Sequence, residues 1–312
     1  MRIVTTWQGL EPLDRGASVA MGNFDGLHVG HQSVIAQAAA AGRPGGAPLG
    51  VITFEPHPRE VFAPDAPPFR LMNRAARAHR MEKLGVERLY ELPFSKDLAA
   101  MTPEGFVDDV LVGGLGVAHV VVGADFHFGK GRAGDAQTLV DLGHARGFGV
   151  TIARLVQAAG EEVSSTAIRR ALTEGRPRDA HRMLGHWHRI EGAVLHGDKR
   201  GRDLGFPTAN MAIAGLHPPH FGVYAVKADV LTGPHAGSYL GAASLGVRPM
   251  FGVNTPNLET YLFDFSGDLY GAEMSVALVE YLRPEMTFDG LDGLIAQMNA
   301  DCARARDVLA AV

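Results

Sequence analysis

The chain has 312 residues, 46% of them hydrophobic and 20% charged, an ordinary globular composition with room for two cores and unlike a disordered or fibrous protein. A formal net charge of −5 argues against broad binding to a phosphate backbone, which calls for a basic excess, so no nucleic-acid partner is expected. Cys302 is the single cysteine, which rules out an intrachain disulfide or a multi-cysteine zinc site and fits a reducing compartment.

The opening MRIVTTWQGL lacks the basic start and apolar core of a signal peptide, and no apolar run approaches the ~18 residues of a membrane span. A soluble, cytoplasmic protein without a membrane partner is the expectation. From Ala17 to Val156, short apolar runs at 19–21, 49–54, 88–92, 117–122 and 150–156 alternate with helical stretches at 31–41, 74–84, 103–111 and 136–146. That alternation predicts a parallel, doubly wound sheet. Such sheets take ligands beyond the carboxyl ends of their strands, which singles out the residues after Met21, Phe54 and Val122.

After Met21 comes GNFDGLHVGH, Gly22 to His31. Its glycines, Gly22 and Gly30 among them, let backbone approach phosphate, and the helix opening near His31 offers free N–H groups to an anion. His28 and His31 lie three apart. As imidazolium groups they would stabilise charge developing on an α-phosphate while pyrophosphate leaves, with no nucleophilic side chain required. After Phe54 the string runs on to Pro56 and His57, which shape a pocket wall or stiffen a turn. After Val122, Asp125 is flanked by Phe126 and Phe128. A helix begins at Ser164 or Ser165, where Ser and Thr side chains cap orphan N–H groups, and Arg169 one turn along is placed for a departing pyrophosphate. Another helix follows Pro177.

Beyond Gly185 the period changes to two, as in Tyr224, Val226, Ala228 and Val230 against Ala225, Lys227 and Asp229. With comparable runs at 190–195, 259–265 and 274–282, this predicts a small antiparallel barrel, closed by a helix at 291–309. The best junction between the halves lies at 178–189. GDKRGRDLGFPTANM, Gly197 to Met211, is the most specific string of this half, and Glu259 opens the strand ETYLFDF.

GNFDGLHVGH, VITFEPHPREVF, VVGADFHFGKGRAGD and SSTAIRRAL resemble the motifs of the nucleotidylyltransferase superfamily and, within it, the prokaryotic bifunctional riboflavin kinase/FMN adenylyltransferase family. GDKRGRDLGFPTANM resembles that family's kinase signature. The resemblance implies an α/β Rossmann-like nucleotidylyltransferase domain at 1–184, followed by a β-barrel riboflavin kinase domain with a C-terminal helix at 185–312. Riboflavin and ATP would give FMN, then FMN and ATP would give FAD and pyrophosphate, both with Mg²⁺.

The same resemblance implies catalytic roles for His28, His31, Arg169 and Glu259, the last as the base that receives the ribityl hydroxyl proton. It places Gly22, Asn23, Phe24, Gly30, Asp125, Ser164, Ser165, Thr166, Gly197, Lys199 and Gly205 on nucleotide. Phe54, Pro56, His57, Phe126 and Phe128 would line the flavin, and Thr208 and Asn210 would ligate Mg²⁺. Ser244 and Met250 stand where that family more often has Asn and Thr. A monomer or weak homo-oligomer acting on small molecules is expected. Two alternatives stay open: a flavin- or nucleotide-binding protein with one site inactive, and a nucleotidylyltransferase with another acceptor.

Overall fold

The apolar runs of the first half fold as parallel strands, the central ones buried on both faces. A computed structural model describes residues 1–154, 157–158, 161–196, 205–250 and 253–312. By contacts they divide into two units, Met1–Ala66 with Arg77–Val163, and Pro67–Ala76 with Ser164–Val312. No helix among the described residues is long and apolar enough to cross a membrane.

In the first unit, strands β1 (Arg2–Val4), β2 (Ser18–Met21), β3 (Leu49–Glu55), β4 (Arg88–Pro93) and β5 (His119–Gly123) are joined, past a hairpin of β6 (His127–Phe128) and β7 (Gly134–Asp135), by β8 (Gly149–Ala153). The six parallel strands lie in the order β1-β4-β3-β2-β5-β8. Val19, Val51, Val120 and Val121 have no exposed surface, which is why these strands read as unbroken apolar runs. The order reverses at β2, which pairs with β3 on one side and β5 on the other, so a crevice opens beyond the ends of β2 and β5. A small hairpin of β9 (Gln157–Ala158) and β10 (Glu161–Glu162) ends this unit.

Helix α1 (Val29–Gly42) follows β2, and α2 (Pro58–Phe62), α3 (Arg74–Lys83), α4 (Lys96–Ala99), α5 (Pro103–Gly105) and α6 (Ala136–Arg146) come later. The helix expected at 103–111 differs: beyond α5 it widens into π turns, Phe106–Leu115. Wide turns leave carbonyls to be satisfied at their end. The Arg15 guanidinium takes them, donating to Gly113 O at 2.6 Å, Val112 O at 3.3 Å and Gly114 O.

The second unit holds α7 (Ser165–Thr173), α8 (Pro177–Leu184) and strands β11 (Arg189–Ala193), β12 (Thr208–Ala212), β13 (Gly222–Val230), β14 (Gly237–Met250), β15 (Val253–Leu262) and β16 (Glu273–Arg283). Their antiparallel order is β11-β16-β13-β14-β15-β12. Leu195 N–H donates to Asn210 O at 2.8 Å just past β11, nearly closing the ring onto β12. Met211, Val226, Leu245, Leu258 and Leu278 fill the interior. The C-terminal helix, Leu291–Ala310, lays Ala305 and Leu309 against Val223, Ala225 and Val279, pinned by Arg283 to Asp301 at 2.7 Å.

Candidate active sites

The turn between β2 and α1 is strained where the chemistry is expected. Phe24 (φ 53°) and Leu27 (φ 46°) are left-handed residues other than glycine, with Gly26 (φ 86°) between them. Each such residue costs on the order of 1–3 kcal/mol and persists because its surroundings fix it. Here the Phe24 and Leu27 side chains are locked in the core. Gly22 N–H donates to Ile52 O at 3.1 Å, and the exposed Asn23 accepts from Thr53 Oγ1 at 3.2 Å, which tie the turn to β3.

His28 becomes the N-cap of α1, its Nδ1 accepting from His31 N–H at 3.3 Å. The two rings stack at 3.6 Å with 17° between planes, and the Phe24 ring meets His31 edge-on at 5.2 Å. A Cβ at Gly30 would lie 3.1 Å from the His28 ring, so glycine is what lets imidazole fold back over the helix start. His31 Nδ1 is buried with no hydrogen-bond partner. Burial lowers His28 to about 4, while the Asp125 carboxylate pulls it partly back up. Burial and, second, His28 hold His31 well below 6.5. Both rings therefore rest neutral rather than as the imidazolium pair expected. The geometry brings His28, His31 and Asp125 together beyond the ends of β2 and β5.

The wall after β3 is aromatic. Phe54 meets Phe94 edge-on at 5.7 Å, and Phe94 meets Phe62 at 5.7 Å, ending on an outward face with Phe62 66% exposed. Pro56 is exposed on this turn. His57 has a structural task as well: its Nδ1 accepts from Arg59 N–H at 3.0 Å while Glu60 accepts its own N–H at 3.0 Å, a capping box for α2. Phe126 and Phe128 stack at 5.7 Å, but Phe128 belongs to the core, against Phe106 at 5.8 Å. Its place is the one that a short hairpin gives an inward aromatic, and Phe126 is the half-buried member of the pair.

Beneath that wall lies an ion cluster. Arg77 Nη2 donates to Glu91 at 2.9 Å and to Glu55, the last residue of β3, at 2.8 Å. Arg77 and Glu91 are buried. Removing one partner of a buried ion pair costs about 3–5 kcal/mol. Arg77→Met is expected to lower stability by that order in urea unfolding, with Arg77→Lys milder; a loss no larger than a surface substitution gives would contradict the assignment.

Helix α7 of the second unit starts as expected, Ser164 Oγ accepting from Ala167 N–H at 3.2 Å. Ser165 is half-buried and Thr166 exposed at this N-terminus. Arg169 Nε donates to Phe69 O at 2.6 Å, with the guanidinium carbon 5.5 Å from the centre of the Phe69 ring.

On the barrel, register does the assembling. Asn210 of β12 faces Glu259 of β15, Thr208 faces Tyr261, and Ala212 faces Asn257. Across β15, Glu259 also faces Ser244 of β14. Period two puts Thr208, Asn210, Asn257, Glu259 and Ser244 on one face, opposite the core face of Ala209, Met211 and Leu258. Asn257, absent from the expected set, donates long bonds of 3.5 Å to both Asn210 Oδ1 and Glu259 Oε1. An Asn two before a Glu on a strand was the available signal. A cleft next to Thr208 is lined by Val194, Thr260, Phe265, Leu269 and Tyr270, and Thr260 Oγ1 is buried there without a partner. Gly205 (φ 82°) is exposed ahead of β12. Gly197 and Lys199 lie outside the described residues, as does the Met250 side chain.

The FAD synthetase family model matches residues 10–167, and the riboflavin kinase family model matches 184–309. A bifunctional riboflavin kinase/FMN adenylyltransferase of Pseudomonas fluorescens is 42% identical over 311 residues, covering 99% of this chain and 98% of its own. The chain belongs to the bifunctional riboflavin kinase/FMN adenylyltransferase family. Members from Listeria monocytogenes and Escherichia coli K12 are 40% and 38% identical over 91% and 94% of this chain, covering 89% and 92% of their own. A solved structure described as a macrolide-efflux protein from Streptococcus pneumoniae superposes with a TM-score of 0.83 at 30% identity, covering 96% of each chain. Like its family, the chain is a riboflavin kinase in its C-terminal part and an FMN adenylyltransferase in its N-terminal part.

Proposed function

We propose that residues 185–312 phosphorylate riboflavin through Glu259, Thr208 and Asn210, and that residues 1–184 adenylylate FMN through His28, His31 and Arg169. The kinase assignment rests on one observation above the rest, the pairing of Asn210 with Glu259, which sets an amide oxygen across from a carboxylate with the Thr208 hydroxyl two residues along. Hard neutral oxygens suit Mg²⁺ that keeps phosphate and water ligands. The buried Asn210 Oδ1 meets Asn257 at 3.5 Å, too far to saturate it, so this donor pair fits the ion. Bound there with ATP, Mg²⁺ would neutralise charge on the phosphates. Glu259 accepts the ribityl hydroxyl proton, and Asn257 orients that carboxylate. The cleft lined by Phe265 and Tyr270 beside Thr208 suits the adenosine end of ATP, with Thr260 Oγ1 as a free polar contact.

In the other half, the N–H groups of His28 and His31 meet the α-phosphate, and the SSTAIRRAL motif supports a role for Arg169 on the triphosphate. Phe54, Phe62 and Phe126 offer ring faces and edges to the isoalloxazine. The net charge of −5 supports the absence of a nucleic-acid partner, and a cytoplasmic monomer or weak homo-oligomer that does not bind membrane completes the proposal.

The test is a double variant, Thr208→Ala with Asn210→Ala, assayed for FMN and FAD at varied Mg²⁺. The Mg²⁺ needed for half-maximal FMN formation is expected to rise about tenfold or more, with FAD formation from FMN unchanged. An unaltered Mg²⁺ requirement would remove these two residues from the metal site.

A further inference from the structure

His217 lies in the part matched by the riboflavin kinase family model, yet its ring hydrogen-bonds to the helix that carries the transferase signature. Its Nε2 is 3.2 Å from the Arg169 carbonyl oxygen and 2.9 Å from Thr173 Oγ1. A carbonyl only accepts, so the Arg169 contact requires the proton on Nε2, and the Thr173 hydroxyl shares it. The His217 backbone N–H donates to Arg70 O at 2.8 Å, and its neighbour Leu216 forms a parallel β-bridge with Arg70. Phe69, next to Arg70, is the residue whose carbonyl and ring hold the Arg169 side chain. One barrel residue thus fixes Arg169 twice, its main chain directly and its guanidinium through residues 69–70.

His220 extends the hold. Its N–H donates to Leu172 O at 2.9 Å, and its Nδ1–H donates to Thr173 O at 2.9 Å. These carbonyls belong to the last turn of α7, where a helix leaves acceptors unsatisfied. The C-terminus of the helix is therefore capped by the barrel loop.

We infer that His217 is a positioning residue for adenylyl transfer, a side chain of the kinase barrel that sets where Arg169 stands against the triphosphate. The inference rests on the reading that Arg169 meets the triphosphate. A guanidinium on a long flexible stem stabilises a leaving pyrophosphate only if its fork is held in place, and the bond of Arg169 Nε to Phe69 O, next to the Arg70 that pairs with 216–217, is one such hold. FAD synthesis then depends on the kinase barrel even though no kinase chemistry is involved.

The experiment uses the full chain and measures both activities in His217→Leu, His217→Gln and Arg169→Ala. In His217→Leu the KM for ATP in FAD formation is expected to rise about tenfold or more, while FMN formation from riboflavin is unchanged, which also certifies a folded barrel. His217→Gln, with an amide N–H for the same carbonyl, recovers most of the loss. If Arg169→Ala leaves FAD formation intact, the triphosphate reading fails. If Arg169→Ala impairs it and His217→Leu does not, the positioning role alone fails. Equal loss of both activities in His217→Leu assigns the residue to barrel folding and overturns the inference.

Discussion

Glu259→Gln is expected to lower FMN formation by about 10²–10⁴-fold, the range a general base contributes, and to leave FAD formation from supplied FMN unchanged. The substitution keeps volume and one oxygen, so the pairing of β15 with β12 and β14 persists and the barrel stays folded. What it removes is the capacity to take the ribityl hydroxyl proton. The loss should fall on kcat rather than on the KM for riboflavin, because the base acts in the transition state. Initial rates of FMN release with saturating MgATP check this. A loss confined to KM, or an equal fall in FAD formation, would take Glu259 out of the base role.

The chemistry of both halves was more legible in the sequence than its setting. Alternation of short apolar runs with helices disclosed the parallel sheet, since strands buried on both faces are apolar throughout. Period two disclosed β13 and β16. Strand β14 escaped notice because Gly237, Gly241 and Gly246 punctuate it, and glycine reads as loop. At Gly241 the cause is close approach: a Cβ would stand 2.4 Å from the Tyr261 carbonyl oxygen, so the strand needs the glycine that hides it. Thr208 and Asn210 were found as a signature, but only the pairing of β12 with β15 puts Asn257 and Glu259 on their face. Nothing in the spacing of Arg77 and Glu91 marks them as partners; that they meet under the Phe54 wall is a tertiary fact. The same holds for His217, 28 residues past the end of the junction expected at 178–189, whose partners lie on α7 and beside Phe69.

Burial also decides the protonation of His28, which no spacing discloses, and the largest effect expected in the transferase half follows from it. His28→Gln should lower FAD formation by about 10²–10³-fold, the loss seen when one donor to a developing oxyanion is removed, while sparing FMN formation. Its pH signature separates a catalytic donor from a packing residue. With a pKa of about 4 in the nucleotide-free protein against 6.5 when unfolded, His28 binds its proton more readily unfolded, so stability is intact above 6.5 and falls as pH drops toward 4. Over that window the loss is on the order of 3 kcal/mol, and in His28→Gln that part of the slope disappears. ATP reverses the balance, since a polyphosphate beside the stacked rings favours imidazolium. Binding of MgATP near pH 6 is therefore expected to take up a proton, seen by calorimetry as an enthalpy that changes with the ionisation heat of the buffer. The uptake should vanish in His28→Gln and survive in Glu259→Gln, because only the first of these groups lies at the switch point between β2 and β5. Buffer-independent binding by the unsubstituted protein would mean that the rings stay neutral throughout and act on the α-phosphate by N–H donation alone.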